Sequence, residues 1–228
     1  LPNTILFAIC VGPGGYVLSF LLAWVLSQIA KLPRTIMTLI VYSPSMTSGV
    51  AMTVLWKTIF SGDEQGYLNS ILLSMDMITE PIQWLQSGDY LMPVMIIVTL
   101  WSSMGVGFLS ILSGITNVDK EIYEAAYMDG VKNRWQELWY ITLPSMKPQL
   151  MFGAIMAITG AFGFGGVVDA LCGFPSTDYA AHTIMHHLND YAGQRYEMGY
   201  ASAIAVILFA IMIGANMVVK KVLSKVGT

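Results

Sequence analysis

Five long apolar segments are the feature of this sequence that most restricts its fold. A helix needs about 20 mostly apolar residues to cross the roughly 30 Å hydrocarbon layer of a bilayer. The segments that meet this requirement are residues 3–30, 35–60, 90–116, 148–171 and 198–219. Inside a bilayer every backbone polar group needs an internal partner, which makes such spans helical. The sequence therefore predicts an all-α integral membrane protein whose five transmembrane helices form one domain, residues 1–228.

The composition agrees with this class. Hydrophobic residues make up 55% of the chain and charged residues 11%, whereas a soluble domain is about one-quarter charged. The net charge of −3 argues against a nucleic acid partner. The chain starts at Leu1 without a signal-peptide pattern, and we expect further sequence to precede it in the whole protein.

The basic residues predict the orientation, because cytoplasmic loops carry an excess of Lys and Arg. One of the two orientations places nine of the 11 basic residues in the cytoplasm and leaves only Lys57 and Arg195 outside. It puts the N-terminus outside, the C-terminus in the cytoplasm, and the loop of residues 117–147, the polar segment, in the cytoplasm.

The polar segment has the pattern of two short helices. Asn117 is a predicted N-cap for a first helix that runs to Asp129 and stops at Gly130, a residue suited to the position after a helix. Asn133 and Gln136 form a second capping pair. Pro144 is expected to end the second helix before the next span.

The charge of the polar segment favours docking to a protein over lying in the headgroup layer. Interfacial helices usually carry Lys and Arg on their polar face, but residues 119–137 contain five acidic and three basic residues. The small side chains of Ala125 and Ala126 allow another surface to approach the backbone closely. Glu124 and Asp129 are placed to meet basic residues on that surface.

The polar segment resembles the EAA loop of the permeases of ATP-binding-cassette importers. The matching residues are Glu124, Ala125, Ala126, Gly130, Ile141, Leu143 and Pro144. The interval between Gly130 and Ile141 is one residue longer than the usual pattern, which predicts a slightly shifted second helix. Further likeness to the maltose-type carbohydrate permeases, with their MetI-like transmembrane domain, extends over the whole chain, for example at Gly66–Asn69 and Gly199–Ala203.

The resemblance implies a multi-pass permease subunit in the membrane of a bacterial or archaeal cell that passes a sugar or oligosaccharide inward. The chain itself is not expected to be an enzyme or to hold a cofactor, because a dimeric cytoplasmic ATPase would bind ATP and Mg²⁺ and contact the residues matched above together with Asp129. The other implied partners are a second permease subunit, commonly a different chain, and an external solute-binding protein. The resemblance also implies a further helix before the first span, which we expect to precede Leu1 in the whole protein.

Candidate substrate contacts come from polar and aromatic residues inside the spans. A sugar needs hydroxyl-matching groups and aromatic faces, and the resemblance places its contacts in these same regions. The candidates are Ser45, Ser48, Trp101, Ser102, Phe162 and Phe164, with Ser103 beside them. Each is equally consistent with a role in packing or in the aromatic belt. Gly153, Ala157, Ala161 and Gly165, four residues apart, predict close helix packing.

No metal site is predicted. His182, His186 and His187 have a ligand-like spacing but lack an evident fourth ligand, so a solvated external loop is the preferred interpretation. Asp169 is expected to line an outer vestibule or to contact water. Three alternatives to a carbohydrate permease stay open: a permease for another small solute, a sensor or channel that uses the polar segment only for docking, and an intramembrane enzyme.

Overall fold

The computed structural model describes residues 2–47, 49–163 and 165–224, and within them the chain is helical without a strand. The helices are α1 (Pro2–Ser27), α2 (Lys31–Met46), α3 (Gly49–Ile59), α4 (Tyr67–Ser74), α5 (Gly88–Ser102), α6 (Val106–Thr116), α7 (Lys120–Met128), α8 (Arg134–Glu137), α9 (Leu143–Ser145), α10 (Lys147–Gly163), α11 (Gly165–Cys172), α12 (Ile184–Asn189) and α13 (Met198–Leu223). The predicted all-α class is confirmed.

Four membrane-crossing units are found among the described residues if each bent helix pair counts as one span. Helices α1 and α13 are each long and apolar enough to cross alone. The pair α2 and α3 is bent by 100°, and the pair α5 and α6 by 48°. The predicted span at 148–171 corresponds to α10 and α11 and includes residue 164, which lies outside the described residues. The count of five spans therefore stays a prediction.

Helices α1, α6 and α10 pack against one another along glycine contacts. A Cβ atom added to Gly12 would lie 3.4 Å from Ala161 Cβ, and one added to Gly107 would lie 3.4 Å from the carbonyl oxygen of Gly153. Small residues at helix contacts allow backbones to approach closely in lipid, where apolar burial contributes little. The predicted packing role of Gly153 and Ala161 is confirmed.

The buried side chains form two separate clusters, and α1 contributes to both. The first contains Phe7 and Val11 of α1 together with Met52, Trp56, Phe60, Leu91 and Met95. The second contains Ala23 and Leu26 of α1 together with Phe108, Ile111, Leu143, Met146 and Leu150. Residues 12–22 of α1 lie between them, where Gly12, Gly15 and Ser19 are buried and Tyr16 and Leu18 pack against the second cluster.

Asn69 organises the connection between α3 and α5. Its side chain is fully buried, and its amide nitrogen donates to the carbonyl oxygens of Ser61, Asp63 and Ile82 at 3.1 Å each. Its amide oxygen accepts from the backbone N–H of Ile82 and from Trp84 Nε1, at 3.2 and 2.8 Å. A single side chain thus holds three segments of this loop together.

The polar segment forms two short helices, and two of its predicted ends are wrong. The first helix, α7, has Asp119 at its N-cap, whereas Asn117 follows the last turn of α6. Gly130 has a φ of +96°, which a glycine adopts without steric cost. The predicted cap of α8 is confirmed, because Gln136 N–H donates to Asn133 Oδ1 at 2.8 Å.

Pro144 does not end the second helix. Helix α8 continues into a π-helical turn, Leu138–Thr142, and then into α9, whose first turn contains Pro144. Proline is tolerated in the first turn because its missing N–H has no partner there. A π turn closes hydrogen bonds one residue further along the chain than an α turn does. The extra residue between Gly130 and Ile141 is therefore accommodated locally.

Candidate functional site

The first candidate site lies where two bent helix pairs are interrupted. Helix α2 ends at Met46, and α5 gives way to α6 between Ser102 and Val106. The two interruptions are adjacent, because a Cβ on Gly105 would lie 3.6 Å from Ser45 Cβ. Discontinuous membrane helices commonly form the substrate sites of transporters, since their free backbone groups and polar side chains face a cavity there.

A cavity of about 170 Å³ lies between this interruption, α1 and α10. Its lining combines hydroxyl groups with glycine backbone and apolar side chains. The lining residues are Gly15, Tyr16, Ser19, Ser102, Ser103, Gly105, Val106, Gly107, Phe108, Ile111, Gly153, Met156, Ala157 and Gly160. Small-molecule pockets usually measure about 300–1,000 Å³. The cavity that this chain encloses by itself is therefore smaller than a usual small-molecule pocket.

The serine hydroxyls at the interruption present acceptors. Ser102 Oγ donates to Val98 O at 3.0 Å, and Ser45 Oγ donates to Tyr42 O at 2.8 Å. A hydroxyl has one donor hydrogen and two acceptor lone pairs. Because the hydrogens are bound to the helices' own carbonyls, the lone pairs remain available to the hydroxyl groups of a ligand.

Trp101, which precedes Ser102 in the last turn of α5, adds an aromatic face. Its side chain is 38% exposed, and its ring meets that of buried Trp56 in a T-shaped contact with centroids 4.7 Å apart. Trp56 Nε1 has no hydrogen-bond partner among the described residues. Ring contacts continue from Trp56 through Phe60 and Trp84 to Tyr90. The ring of Trp101 is thus the exposed end of a row of aromatic rings, each of which packs against the next.

The structure brings together only part of the predicted substrate path. Ser102 lines the cavity, Ser45 lies beside it, and Trp101 packs on Trp56. Phe162 is half-buried near the end of α10 and is not among the lining residues. Ser48 and Phe164 lie outside the described residues. Tyr16 and Ser19 of α1 were not predicted, although their polar groups inside an apolar span were a signal.

The second candidate site is the polar segment. None of the residues of α7 is buried, and its last residue, Met128, is 89% exposed. Glu124, Ala125, Asp129 and Gly130 are exposed, and Ala126 is half-buried. Helix α7 therefore leaves its surface exposed, with an apolar side chain at its last residue.

Two hydroxyl contacts hold α7 against the rest of the polar segment. Tyr123 Oη and Thr142 Oγ1 are 3.0 Å apart, and Tyr127 Oη donates to Glu137 Oε2 at 3.0 Å. The hydrogen bond to the Glu137 carboxylate raises the pKa of Tyr127. Glu137 also accepts from Arg134 at 2.9 Å. These contacts fix the direction in which α7 projects.

Ile141 and Leu143 of the motif are buried within the chain, with 6% and 8% of their surface exposed, and Pro144 is half-buried. Leu143 belongs to the second core cluster. These residues therefore anchor the polar segment onto the helix bundle, whereas α7 provides the exposed surface.

A cavity of about 430 Å³, the coupling cavity, separates α7 and α8 from the ends of α1 and α6. It is lined by residues of both signs of charge and by hydroxyl groups. The lining residues are Trp24, Ser27, Gln28, Arg34, Ile115, Thr116, Val118, Lys120, Tyr123, Glu124, Tyr127, Arg134, Glu137, Leu138 and Thr142. The polar segment consequently rests on the bundle with open space beneath it.

The expectation of a solvated histidine loop is wrong for His186. Its side chain is fully buried, its Nδ1 lies 2.8 Å from Thr183 Oγ1, and its Nε2 lies 2.9 Å from Asp169 Oδ1. The last contact has ion-pair distance but lacks hydrogen-bond alignment. Burial lowers the pKa of His186. Asp169 also accepts from Asn189 Nδ2 at 3.2 Å, which joins α11 to α12. In the described part of the chain, no group of three or more His, Cys, Asp and Glu residues has metal-binding geometry.

Comparison with known proteins identifies a family. Residues 15–226 match the model of the binding-protein-dependent transport system inner membrane component. The chain is 29% identical over 185 residues to the arabinooligosaccharides transport system permease protein AraP of Bacillus subtilis, covering 81% of this chain and 58% of that protein. It is 31% identical over 160 residues to the lactose transport system permease protein LacF of Rhizobium radiobacter, covering 70% and 53%. The chain thus spans just over half the length of these curated relatives.

Solved structures share the fold. The whole chain superposes with a TM-score of 0.85 on 79% of a chain from a bacterial ABC transporter involved in the import of the acidic polysaccharide alginate, at 21% identity. A second structure, the bacterial alginate ABC transporter in complex with an alginate pentasaccharide-bound periplasmic protein, gives a TM-score of 0.83 at 24% identity and the same coverage.

Proposed function

This chain belongs to the family of binding-protein-dependent transport system inner membrane components, and we propose that it is the permease subunit of an ATP-driven importer of a sugar or oligosaccharide. The observation that carries the proposal is the exposed helix α7, which has no buried residue and ends two residues before Gly130. A helix so positioned has a surface free for a partner protein. The proposed partner is a cytoplasmic ATPase dimer that binds ATP and Mg²⁺ itself.

A carbohydrate substrate is supported by the chemistry at the helix interruption and by the relatives. The serine lone pairs and the exposed face of Trp101 match the hydroxyl groups and the apolar face of a sugar ring. The names of the relatives refer to arabinooligosaccharides and lactose. The small volume of the cavity favours a substrate site that is completed by a second permease subunit. An external binding protein would deliver the ligand to this site.

The proposed orientation follows from charge. The coupling cavity and the polar segment contain Lys120, Lys132 and Arg134, so this end of the bundle faces the cytoplasm. The N-terminus of the chain and the loop around His186 then lie outside, where a binding protein can reach them.

A substitution at Gly130 tests the coupling. Proline fixes φ near about −65°, far from the observed +96°, and removes the N–H that donates to Tyr127 O at 3.2 Å. In proteoliposomes containing the complete transporter with its binding protein, we expect Gly130→Pro to reduce ATP-driven uptake of lactose and arabinooligosaccharides more than tenfold. The complex should still assemble, because Gly130 is exposed and nothing packs on it.

Gly214→Ala is the matched control, since a Cβ there would also meet open space and the residue lies within α13. It should retain wild-type uptake. Normal uptake by the Gly130→Pro variant would contradict the coupling role. Assembly with an ATPase but no uptake of any solute by the wild-type chain would instead indicate a sensor or channel.

A further inference from the structure

Helix α2 turns its polar side towards the rest of the chain. Of its 16 residues only Pro44 is buried, and the half-buried ones are Arg34, Thr38, Val41 and Tyr42. Arg34, Thr38 and Tyr42 follow one another at four-residue intervals and so share a helix face. The opposite side carries exposed Ile36 and Ile40. A helix in lipid that turns hydroxyl groups inward borders a polar space.

That space is a crevice of about 300 Å³ between α2 and α6. Both walls contribute hydroxyl groups, and leucines lie among them. The lining residues are Arg34, Thr35, Thr38, Leu39, Leu109, Leu112, Ser113 and Thr116. The residues of α6 follow the i, i+3, i+4, i+7 pattern of one helix face. The two helices run side by side without close backbone packing along this face.

The crevice lies between the two candidate sites along α2 and α6. At one end the same face of α2 reaches Ser45, which lies beside Gly105 at the helix interruption. At the other end Arg34 and Thr116 line both the crevice and the coupling cavity. The helix interruption, the hydroxyl-lined crevice and the coupling cavity therefore follow one another along α6.

The threonine hydroxyl groups of the crevice are hydrogen-bonded in the same way as the hydroxyl groups at the interruption, because each donates its hydrogen to a carbonyl oxygen of its own helix. Thr35 Oγ1 donates to Lys31 O at 2.9 Å, Thr38 Oγ1 to Arg34 O at 2.8 Å, and Thr116 Oγ1 to Leu112 O at 2.9 Å. Their lone pairs are left for the donors of a passing ligand. Acceptors that are spread along a path bind the ligand only weakly at each position. Weak binding lets the ligand pass along the path instead of being retained.

We propose that the crevice between α2 and α6 is the exit route by which the carbohydrate leaves the membrane interior towards the coupling cavity. The inference rests on the proposed function. It assigns the cytoplasmic half of the substrate route to this chain. Leu39, Leu109 and Leu112 are the apolar residues of the crevice lining. Because the route opens under α7, movement of α7 with its partner would change the width of its mouth.

Cysteine accessibility in the complete transporter tests the route. Cys10 and Cys172 are free thiols and are first replaced by serine. Thr38→Cys is then compared with Ile36→Cys, which lies two residues away on the opposite, exposed apolar side of α2. In inside-out vesicles without nucleotide, the charged reagent methanethiosulfonate-ethyltrimethylammonium should modify Thr38→Cys at least tenfold faster. Equal rates, or an unreactive Thr38→Cys, would show that lipid or protein fills the crevice and would overturn the proposal.

Uptake measurements separate this inference from the proposed function. Thr38→Trp should reduce uptake of lactose or arabinotriose, whichever the wild-type complex transports, more than tenfold, and Ile36→Trp should change it less than twofold. Full uptake with Thr38→Trp would refute the exit route while the permease function stands. Absence of uptake of any solute by the assembled wild-type complex would refute the proposed function itself, and the cysteine variants are compared only in a cysteine-free parent that retains wild-type uptake.

Discussion

The loop held by Asn69 offers a quantitative test of the structure. In Asn69→Asp the shape is unchanged and the acceptor oxygen can still bind Ile82 N–H and Trp84 Nε1. The donor nitrogen, however, is replaced by an oxygen that faces the carbonyl oxygens of Ser61, Asp63 and Ile82, each 3.1 Å away. The substitution therefore removes every donation from this side chain while preserving its volume.

The expected cost follows from the number of groups left unpaired. A buried polar group that loses its partner costs about 1–3 kcal/mol, and two N–H groups serve the three carbonyls, so we expect about 3–5 kcal/mol. For a chain of this size about 1 kcal/mol shifts Tm by roughly 2–4 °C. The Tm of the purified complex, followed by tryptophan fluorescence in nanodiscs, should fall by about 10 °C.

Asn3→Asp is the graded control. Asn3 Nδ2 donates to only two carbonyl oxygens, those of Tyr179 and Ala180, at a partly exposed site, where water can replace a lost partner. Its Tm should fall by less than half as much. A Tm for Asn69→Asp within about 2 °C of wild type, or a loss no larger than that of Asn3→Asp, would refute the assigned role of Asn69.

Three further predictions concern other parts of the bundle. Burial lowers the pKa of His186 in the folded protein. The stabilisation contributed by neutral His186 is therefore complete above the unfolded pKa of about 6.5 and is lost as the pH falls through the lower folded pKa. The Tm should drop between about pH 7.5 and 5.5, and it should drop less in His186→Gln. Tyr140 is 73% exposed in the π-helical turn Leu138–Thr142, and its deletion should retain uptake because the turn can close as an α turn. Deletion of Ile122 from α7 should abolish uptake. Gly114→Ala places a Cβ 3.0 Å from a side-chain carbon of α10 and should cost about 1–2 kcal/mol of stability, while Gly199→Ala, with open space around it, should cost nothing measurable by thermal unfolding.

The polar segment was largely predictable because its signals are local. Gly130 marks a positive φ, and Asn133 with Gln136 marks a cap, since both depend on residues within four positions. Local reasoning was wrong at Pro144, because a proline that ends an α-helix is tolerated where a new helical turn begins. The one-residue excess was visible in the sequence, but its accommodation by a π turn was not.

The candidate substrate path was predicted only in part, because its residues come from distant positions. Ser102 and Trp101 were chosen as polar and aromatic residues inside a span, and both lie at the helix interruption. Tyr16 was not chosen, because only the packing of α1 against α6 and α10 brings it to the cavity. His186 was expected in water, since its partner Asp169 lies 17 positions earlier and no local pattern links them.

The sequence by itself determined the class of this protein, the cap at Asn133 and the turn at Gly130. Long apolar runs require helices in lipid, and caps and glycines act over a single turn. Only the tertiary structure decided that the core divides into two clusters, that Ser45 meets Gly105, and that the hydroxyl face of α2 opposes that of α6. The physical reason is that lipid is as apolar as the side chains it meets, so hydrophobicity places helices in the membrane without specifying which faces meet. Close packing at small residues and the placement of polar groups away from lipid make that choice.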